Sequence, residues 1–142
     1  MNVYQYIRGL KKRGNLRASK TVQNEQRFTT QSRKRFSVKK IIANCPHCFN
    51  SIKNEYPDFG SDVEVLSHTE FLASLVKEGK LNPKKSIDEK ITYHDPCYLG
   101  RHNRVFDEPR EILASIPGLE VKELERSRET SFCCGAGGGK IW

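Results

Sequence analysis

The five cysteines of this 142-residue chain fall into three short clusters. The first is Cys-Pro-His-Cys at 45–48, the second is the lone Cys97 in His-Asp-Pro-Cys, and the third is the adjacent pair 133–134 in Cys-Cys-Gly-Ala-Gly-Gly-Gly. A disulfide framework would not need an adjacent pair that runs into a glycine loop, because neighbouring cysteines cannot easily pair with each other. Thiolates gathered in this way favour a soft metal instead, and iron with sulfide is the best fit.

The length and the apolar pattern bound the class of protein. A chain of 142 residues is the size of one domain. It has no apolar run long enough for a membrane span, and its N-terminus lacks the apolar core of a secretory signal. We therefore expect a cytoplasmic protein, peripheral to a membrane only through a partner. Thiols stay reduced there, which favours metal binding or redox chemistry over structural disulfides.

The positive charge is concentrated at the N-terminus. Residues 1–40 hold 12 of the 25 Lys and Arg and a single acid, whereas residues 41–142 hold 13 basic and 16 acidic residues. We expect residues 1–37 to be a basic, disordered arm outside the domain, and residues 38–142 to be the domain. A nucleic-acid-binding arm is the alternative. Nucleic acid is not the expected partner, because the aromatic residues of the arm are too scattered for a stacking platform.

Strands and helices alternate along residues 38–142, which predicts an α/β fold with a layered, mostly parallel sheet. The predicted strands are 40–44, 63–66, 90–94 and 119–124, and the predicted helices are 46–56, 69–78 and 108–116. In such folds, sites lie beyond the carboxyl ends of the strands. Cys45 and Cys97 both follow predicted strands at that position.

The Cys-Pro-His-Cys motif leaves three interpretations open. Cys45 and Cys48 lie three positions apart at the start of a predicted helix, whose N-terminus would lower their pKa. The pair suits a redox dithiol, half of a zinc site, or part of an iron–sulfur site. This motif alone does not decide between them.

The motif around Cys97 places one thiol in a polar turn after a strand, which is a good position for a ligand. His94 and His102 are possible ligands, although such histidines more often orient a loop by hydrogen bonds. Arg101 and Arg104 could neutralise a negatively charged cluster, or be ordinary surface residues.

The third motif is the most specific. Cys133 and Cys134 can both reach one centre only if that centre has several metal atoms. The glycines that follow, Gly135 and Gly137 among them, let the backbone approach a bulky cluster and donate N–H groups to it. Phosphate-loop and dinucleotide-loop patterns both fail on the spacing of glycine and lysine.

Four stretches of the chain resemble the cysteine-rich domain that is named for its Cys-Cys-Gly motif. They are Cys-Pro-His-Cys-Phe-Asn, Tyr-His-Asp-Pro-Cys-Tyr-Leu-Gly-Arg-His-Asn, Asp-Glu-Pro-Arg-Glu-Ile-Leu and Ser-Phe-Cys-Cys-Gly-Ala-Gly-Gly-Gly-Lys-Ile-Trp. That domain occurs in heterodisulfide reductases and in the iron–sulfur subunits of glycolate, lactate and glycerol-3-phosphate oxidising complexes. The resemblance covers residues 38–142.

The resemblance implies an iron–sulfur oxidoreductase or electron-transfer subunit that passes electrons between a flavin-containing or other redox subunit and a quinone or disulfide acceptor. It implies a [4Fe–4S] cluster, which is non-cubane in the heterodisulfide enzymes. The implied ligands are Cys45, Cys48, Cys97, Cys133 and Cys134. It implies no general acid or base.

Full members of that family carry two cysteine repeats, and neither repeat is complete here. Cys45 and Cys48 resemble the end of the first repeat, whereas Cys97, Cys133 and Cys134 resemble the start of the second. We therefore expect a fragment, incomplete at both ends and inactive alone. The alternatives are a non-catalytic zinc module, built from Cys45 and Cys48 with two other thiols, and a dithiol redox protein that uses Cys45 and Cys48 alone.

Overall fold

The computed structural model describes residues 38–135, along which strands and helices alternate as predicted. The elements are β1 (Lys40–Ala43), α1 (Pro46–Asn54), a 3₁₀ turn (Tyr56–Phe59), β2 (Glu64–Ser67), α2 (His68–Lys77), β3 (Lys90–Ile91), α3 (Gly100–Asn103), α4 (Asp107–Ala114), β4 (Glu120–Val121) and a second 3₁₀ turn (Arg128–Thr130). The α/β class is therefore confirmed. The predicted basic arm, residues 1–37, and Gly137 lie outside the described residues.

The strands of the described region form two separate two-stranded sheets, β1 with β2 and β3 with β4. β3 and β4 are parallel, with Lys90 opposite Glu120 and Ile91 opposite Val121. Both strands are shorter than the predicted 90–94 and 119–124. The ladder ends where the amide of Lys122 donates to the carbonyl of Ile91 at 2.8 Å. Soon afterwards the chain reaches Pro96, which has no N–H to donate and so cannot prolong a ladder.

The described residues divide into two compact units. One comprises residues 38–41, 51–65 and 134–135, and the other comprises residues 42–50 and 66–133. The first unit contains the buried Val65 and an exposed ion pair between Lys40 and Glu64 at 3.2 Å. We call the second the larger unit. Its buried apolar side chains are Ala43, Phe49, Ala73, Tyr98, Leu99, Val105 and Phe106. The predicted domain boundary at residue 38 stays a prediction.

The helix α2 begins at His68, one residue earlier than predicted, and its cap is Ser67 rather than Thr69. The hydroxyl of Ser67 accepts from the amide of Glu70 at 3.1 Å, and the carboxylate of Glu70 accepts from the amide of Ser67 at 2.8 Å. This reciprocal pair satisfies two amides that would otherwise lack partners at the helix start. The helix packs against α4, and Lys77 pairs with Glu111 at 2.9 Å.

The short helix α3 packs closely against the aromatic ring that follows it. A Cβ placed on Gly100 would lie 2.5 Å from Cε1 of Phe106, so only glycine leaves room for that ring. The helix ends at Arg104, which has a left-handed φ of 61° and whose amide donates to the carbonyl of Gly100. This reversal of the chain buries Val105 and Phe106 directly after the Cys97 region.

Candidate metal centre

Cys45 and Cys48 lie at the start of α1, and both thiols are exposed. The carbonyl of Cys45 accepts from the amide of Phe49 at 2.9 Å, so Cys45 is the residue on which the first helical turn closes. Pro46 occupies the first helical position, where a missing N–H costs nothing. The buried Phe49 anchors this turn in the core of the larger unit. The helix start therefore holds two exposed thiols one turn apart on a fixed support.

The two thiols differ in acidity. Burial raises the pKa of Cys45, but hydrogen bonds from the backbone of Cys48 and His47 and from the thiol of Cys48 outweigh it, so the pKa of Cys45 falls below its ordinary value. For Cys48, burial and then the interaction with Cys45 raise the pKa above the ordinary value. The ring nitrogen Nδ1 of His47 lies 3.9 Å from Sγ of Cys45. Cys45 is therefore the readier thiolate, as expected of a thiol at a helix start.

Cys97 lies in a tight turn that we call the Cys97 turn, residues 94–101. The amides of Leu99 and Gly100 donate to the carbonyl of Pro96 at 3.0 and 2.8 Å. Tyr98 and Leu99 are buried, whereas Cys97 is half-buried. The turn therefore uses two apolar residues as its anchor and leaves the thiol at its edge.

The start of α1 and the Cys97 turn are joined within the larger unit. The ring of His47 lies against the ring of Tyr98, with centroids 4.3 Å apart, and Tyr98 stacks on His102 at 4.6 Å. The side-chain amide of Asn103 donates to Oδ1 of Asn50 at 3.1 Å and to the carbonyl of Tyr98 at 2.7 Å. The flanks of the first two cysteine motifs are thus in direct contact.

The third motif is attached to the Cys97 turn through residues 128–133, which we call the Cys133 segment. The ring nitrogen Nε2 of His94 donates to the carbonyl of Phe132 at 2.7 Å. The hydroxyl of Ser131 donates to the carbonyl of Asp95 at 3.3 Å, and Arg101 donates to the carbonyl of Ser131. The expectation that His94 orients a loop by a hydrogen bond is therefore confirmed.

A buried ion pair supports these contacts. The side chain of Asp95 is 2% exposed, and its two oxygens accept from Arg110 at 2.8 and 2.9 Å. The same carboxylate accepts from the amide of Arg128 at 2.6 Å. Burial raises the pKa of Asp95, but the hydrogen bonds from Arg110 and Arg128 lower it by more, so its pKa lies below the ordinary value. Asp95 is therefore held as a carboxylate.

Arg110 is fixed from several sides. It pairs with Glu123 through two nitrogens, and Nη1 donates to the carbonyl of Phe106 at 2.6 Å. Its guanidinium carbon lies 5.4 Å from the ring centre of Tyr93. The hydrogen bonds to Asp95 and Glu123 raise the pKa of Arg110, so its charge is permanent. Little in the sequence indicates this network, because its members are far apart in the chain and are of types usual at surfaces.

The predicted ligands fall into different parts of the structure. Cys45, Cys48, Cys97 and Cys133 belong to the larger unit, whereas Cys134 and the predicted backbone donor Gly135 belong to the other unit. Gly135 has a left-handed φ of 81°. Among residues 38–135, no three His, Cys, Asp or Glu side chains form a group that could hold a metal ion. The five-cysteine ligand set therefore stays a prediction.

The arrangement of cysteines identifies a class of protein. Residues 91–142 match the family model of the Cysteine-rich domain. This part of the chain therefore belongs to the cysteine-rich domain family, which is the family that the sequence resembles.

The curated relatives are oxidoreductases. The chain is 62% identical over 105 residues to the probable iron-sulfur-binding oxidoreductase FadF of Bacillus subtilis, which covers 74% of this chain and 15% of the relative. It is 54% identical over 107 residues to the EtfAB:quinone oxidoreductase of Syntrophomonas wolfei, covering 75% of this chain and 15% of the relative. It is 44% identical over 116 residues to one subunit of the dihydromethanophenazine:CoB–CoM heterodisulfide reductase of Methanosarcina mazei, covering 80% and 28%.

The chain thus spans between 15% and 28% of the length of these relatives. No solved structure is significantly similar to it. Within residues 38–135, no helix is both long enough and apolar enough to cross a membrane.

Proposed function

We propose that the chain is the cluster-binding part of an iron–sulfur oxidoreductase, in which it carries electrons between redox partners. The observation that carries this proposal is the set of contacts in the larger unit that join the flanks of three cysteine motifs. His47 contacts Tyr98, and His94 binds the carbonyl of Phe132. The names of the relatives, which include an iron-sulfur-binding oxidoreductase and a heterodisulfide reductase, support the same class.

The residues present fit such a cluster in their chemistry. Thiolates are the usual ligands of iron–sulfur clusters. The two thiols of α1 are exposed, and that of Cys45 has a lowered pKa, which favours the ligating form. We propose Cys45, Cys48, Cys97 and Cys133 as ligands. Cys134, the chain neighbour of Cys133, and the glycines 135 and 137 complete the set as predictions from the sequence.

When bound, the cluster would supply one-electron transfer. The part of this chain is to hold and orient the thiolates and to set their surroundings. Buried Tyr98 and Leu99 exclude water behind the Cys97 turn, and burial around a cluster tunes its potential. We propose a [4Fe–4S] cluster, whose cubane or non-cubane form is a finer expectation of the family resemblance.

The partners belong to the same proposal. We propose that a flavin-containing or other redox subunit exchanges electrons with the cluster, and that the chain works in the cytoplasm, peripheral to a membrane only through that partner. The name of one relative, EtfAB:quinone oxidoreductase, is in keeping with a multi-component electron path.

The test is reconstitution of the full chain with ferrous iron and sulfide under anaerobic conditions. We expect a brown protein with broad absorption near roughly 400 nm and about four iron and four sulfide per chain, as thiolate-bound clusters give. The matched control is the Cys45→Ser, Cys133→Ser double variant, which should lose most of the iron. A colourless protein that takes up one zinc and no sulfide would instead support the zinc module.

A second candidate is a dithiol redox protein, which the unequal acidities of Cys45 and Cys48 favour. A lowered pKa on the first cysteine of a Cys-x-x-Cys motif is typical of such proteins. Disulfide reduction by the metal-free chain distinguishes the two candidates. Activity that survives Cys133→Ser and is lost in Cys45→Ser would support the dithiol protein over the cluster carrier.

A further inference from the structure

Residues 128–133 are attached to the Cys97 turn by four hydrogen bonds that bridge 30 to 38 positions of the chain. Three are formed by the adjacent residues His94 and Asp95, through the ring of His94 and through both the carboxylate and the carbonyl of Asp95. These contacts lie just before both Cys97 and Cys133. Small displacements here would therefore move one thiol relative to the other.

The contacts made by Asp95 are buried and directional. Ser131, whose hydroxyl donates to Asp95, is 4% exposed, and Asp95 itself is 2% exposed. The carboxylate has its position fixed by two bonds from Arg110 before it accepts from the amide of Arg128. Since Arg110 is also bound to Glu123 and to the carbonyl of Phe106, the carboxylate has one available orientation.

The backbone at Arg128 points to the same role. Its φ is 54°, a left-handed conformation that residues other than glycine seldom adopt. Such conformations persist where the surrounding contacts impose them. Here the bond from the amide of Arg128 to Asp95 and the ion pair of its side chain with Asp107, at 2.7 Å, hold the residue in place. The left-handed residue turns the chain into the Cys133 segment.

We propose that Asp95 and His94 are positioning residues, which act as a latch that sets the separation of Cys97 and Cys133. Asp95, fixed by Arg110, holds the beginning and middle of the Cys133 segment. His94 holds the carbonyl of Phe132, directly before Cys133. This inference rests on the proposed function in that the latch would serve to place two cluster ligands, but the latch is a property of the metal-free chain.

The latch is tested first without metal. In a full chain with Cys45, Cys48 and Cys134 replaced by serine, a short bifunctional maleimide links Cys97 to Cys133 after reduction, and the yield of linked chain is measured by mass spectrometry. We expect Asp95→Asn to lower the yield about tenfold, because it removes hydrogen bonds to a charged group. Asp107→Asn, which removes only the exposed partner of the Arg128 side chain, is the matched control and should leave the yield unchanged.

His94 provides a second test that does not depend on a buried charge, because its side chain is exposed. We expect His94→Ala to lower the yield about threefold, as the loss of one neutral hydrogen bond allows. His94→Gln keeps an N–H donor and should restore it. Circular dichroism checks that each variant is folded; should Asp95→Asn unfold, the His94 pair alone decides.

Unchanged linking in folded Asp95→Asn or in His94→Ala would overturn the latch, as would a His94→Gln variant no better than His94→Ala. The same variants loaded with iron and sulfide then connect the latch to the cluster. We expect His94→Ala to shift the absorption spectrum and the midpoint potential, with His94→Gln close to the parent chain. A chain that links normally but takes up no iron would contradict the proposed function and leave the latch supported.

Discussion

The ion pair between Asp95 and Arg110 differs from the other ion pairs of the described region in its burial. Its side chains are 2% and 12% exposed, whereas both side chains of the Lys90–Glu120 pair are more than half exposed. Removing one partner of a buried pair leaves the other charge without compensation in a poorly solvated place. The surface pair, which is screened by water, contributes little.

Arg110→Met should therefore lower the free energy of unfolding by about 3 to 5 kcal/mol, the usual cost of breaking a buried pair. Urea unfolding followed by circular dichroism measures this change. Lys90→Met is the matched control, and it should cost less than about 1 kcal/mol because it breaks an exposed pair. Equal losses in the two variants would contradict the supporting role of Arg110.

The two thiols of α1 should react at different rates. Because the pKa of Cys45 is lowered and that of Cys48 is raised, a larger fraction of Cys45 is thiolate at any pH below the ordinary thiol range. In the metal-free chain near neutral pH, iodoacetamide should therefore modify Cys45 faster than Cys48. The difference should shrink as the pH rises until both are thiolates. Peptide mass spectrometry of a time course resolves the two rates, and faster modification of Cys48 would contradict the assignment.

At the scale of elements, the helix α2 depends on its first residues. Ser67 is almost fully buried and forms both halves of the capping box with Glu70. Ser67→Ala should cost about 1 kcal/mol of stability, because it leaves the amide of Glu70 without its acceptor. Ser74→Ala, in the middle of the same helix, should change stability by less than about 0.5 kcal/mol, since alanine is the better helix former. Thermal unfolding of both variants compares them, and similar losses would argue against the cap.

The helices are more predictable from the sequence than the strands. The three longer helices begin within one residue of their predicted starts, because apolar spacing reports which face meets the core, as Phe49 and Ala73 do here. For β3 and β4 the predicted strands are several residues too long. Alternating residues show that a segment can form a strand, but the length of the ladder depends on where its partner departs, which here follows Lys122 and Ile91.

The candidate site is predictable only where its chemistry is unusual. Cysteine is rare and its spacing is informative, so the sequence alone indicates all five thiols as candidate ligands. It does not indicate the Asp95 network, because Arg110 and Arg128 lie 15 and 33 positions from Asp95. Nothing in their local sequence separates them from surface residues. For His94 the sequence predicts a loop-orienting role, and the structure adds which carbonyl it binds.

At the scale of the whole molecule, the account depends on thiols from separate motifs meeting at one inorganic centre. The larger unit contains Cys45, Cys48, Cys97 and Cys133, and the contacts around them join the motifs in pairs. An iron–sulfur cluster would bind these thiols together, whereas a dithiol protein would use only the pair in α1. The two cases therefore differ in how many cysteines are protected when iron and sulfide are present.

The most direct measurement is the alkylation of each cysteine in the full chain, followed by peptide mass spectrometry as iron and sulfide are added. The account predicts that Cys45, Cys48, Cys97 and Cys133 become protected together, with the same dependence on iron. Protection of Cys45 and Cys48 alone, with Cys97 and Cys133 still fully reactive at saturating iron and sulfide, would contradict it.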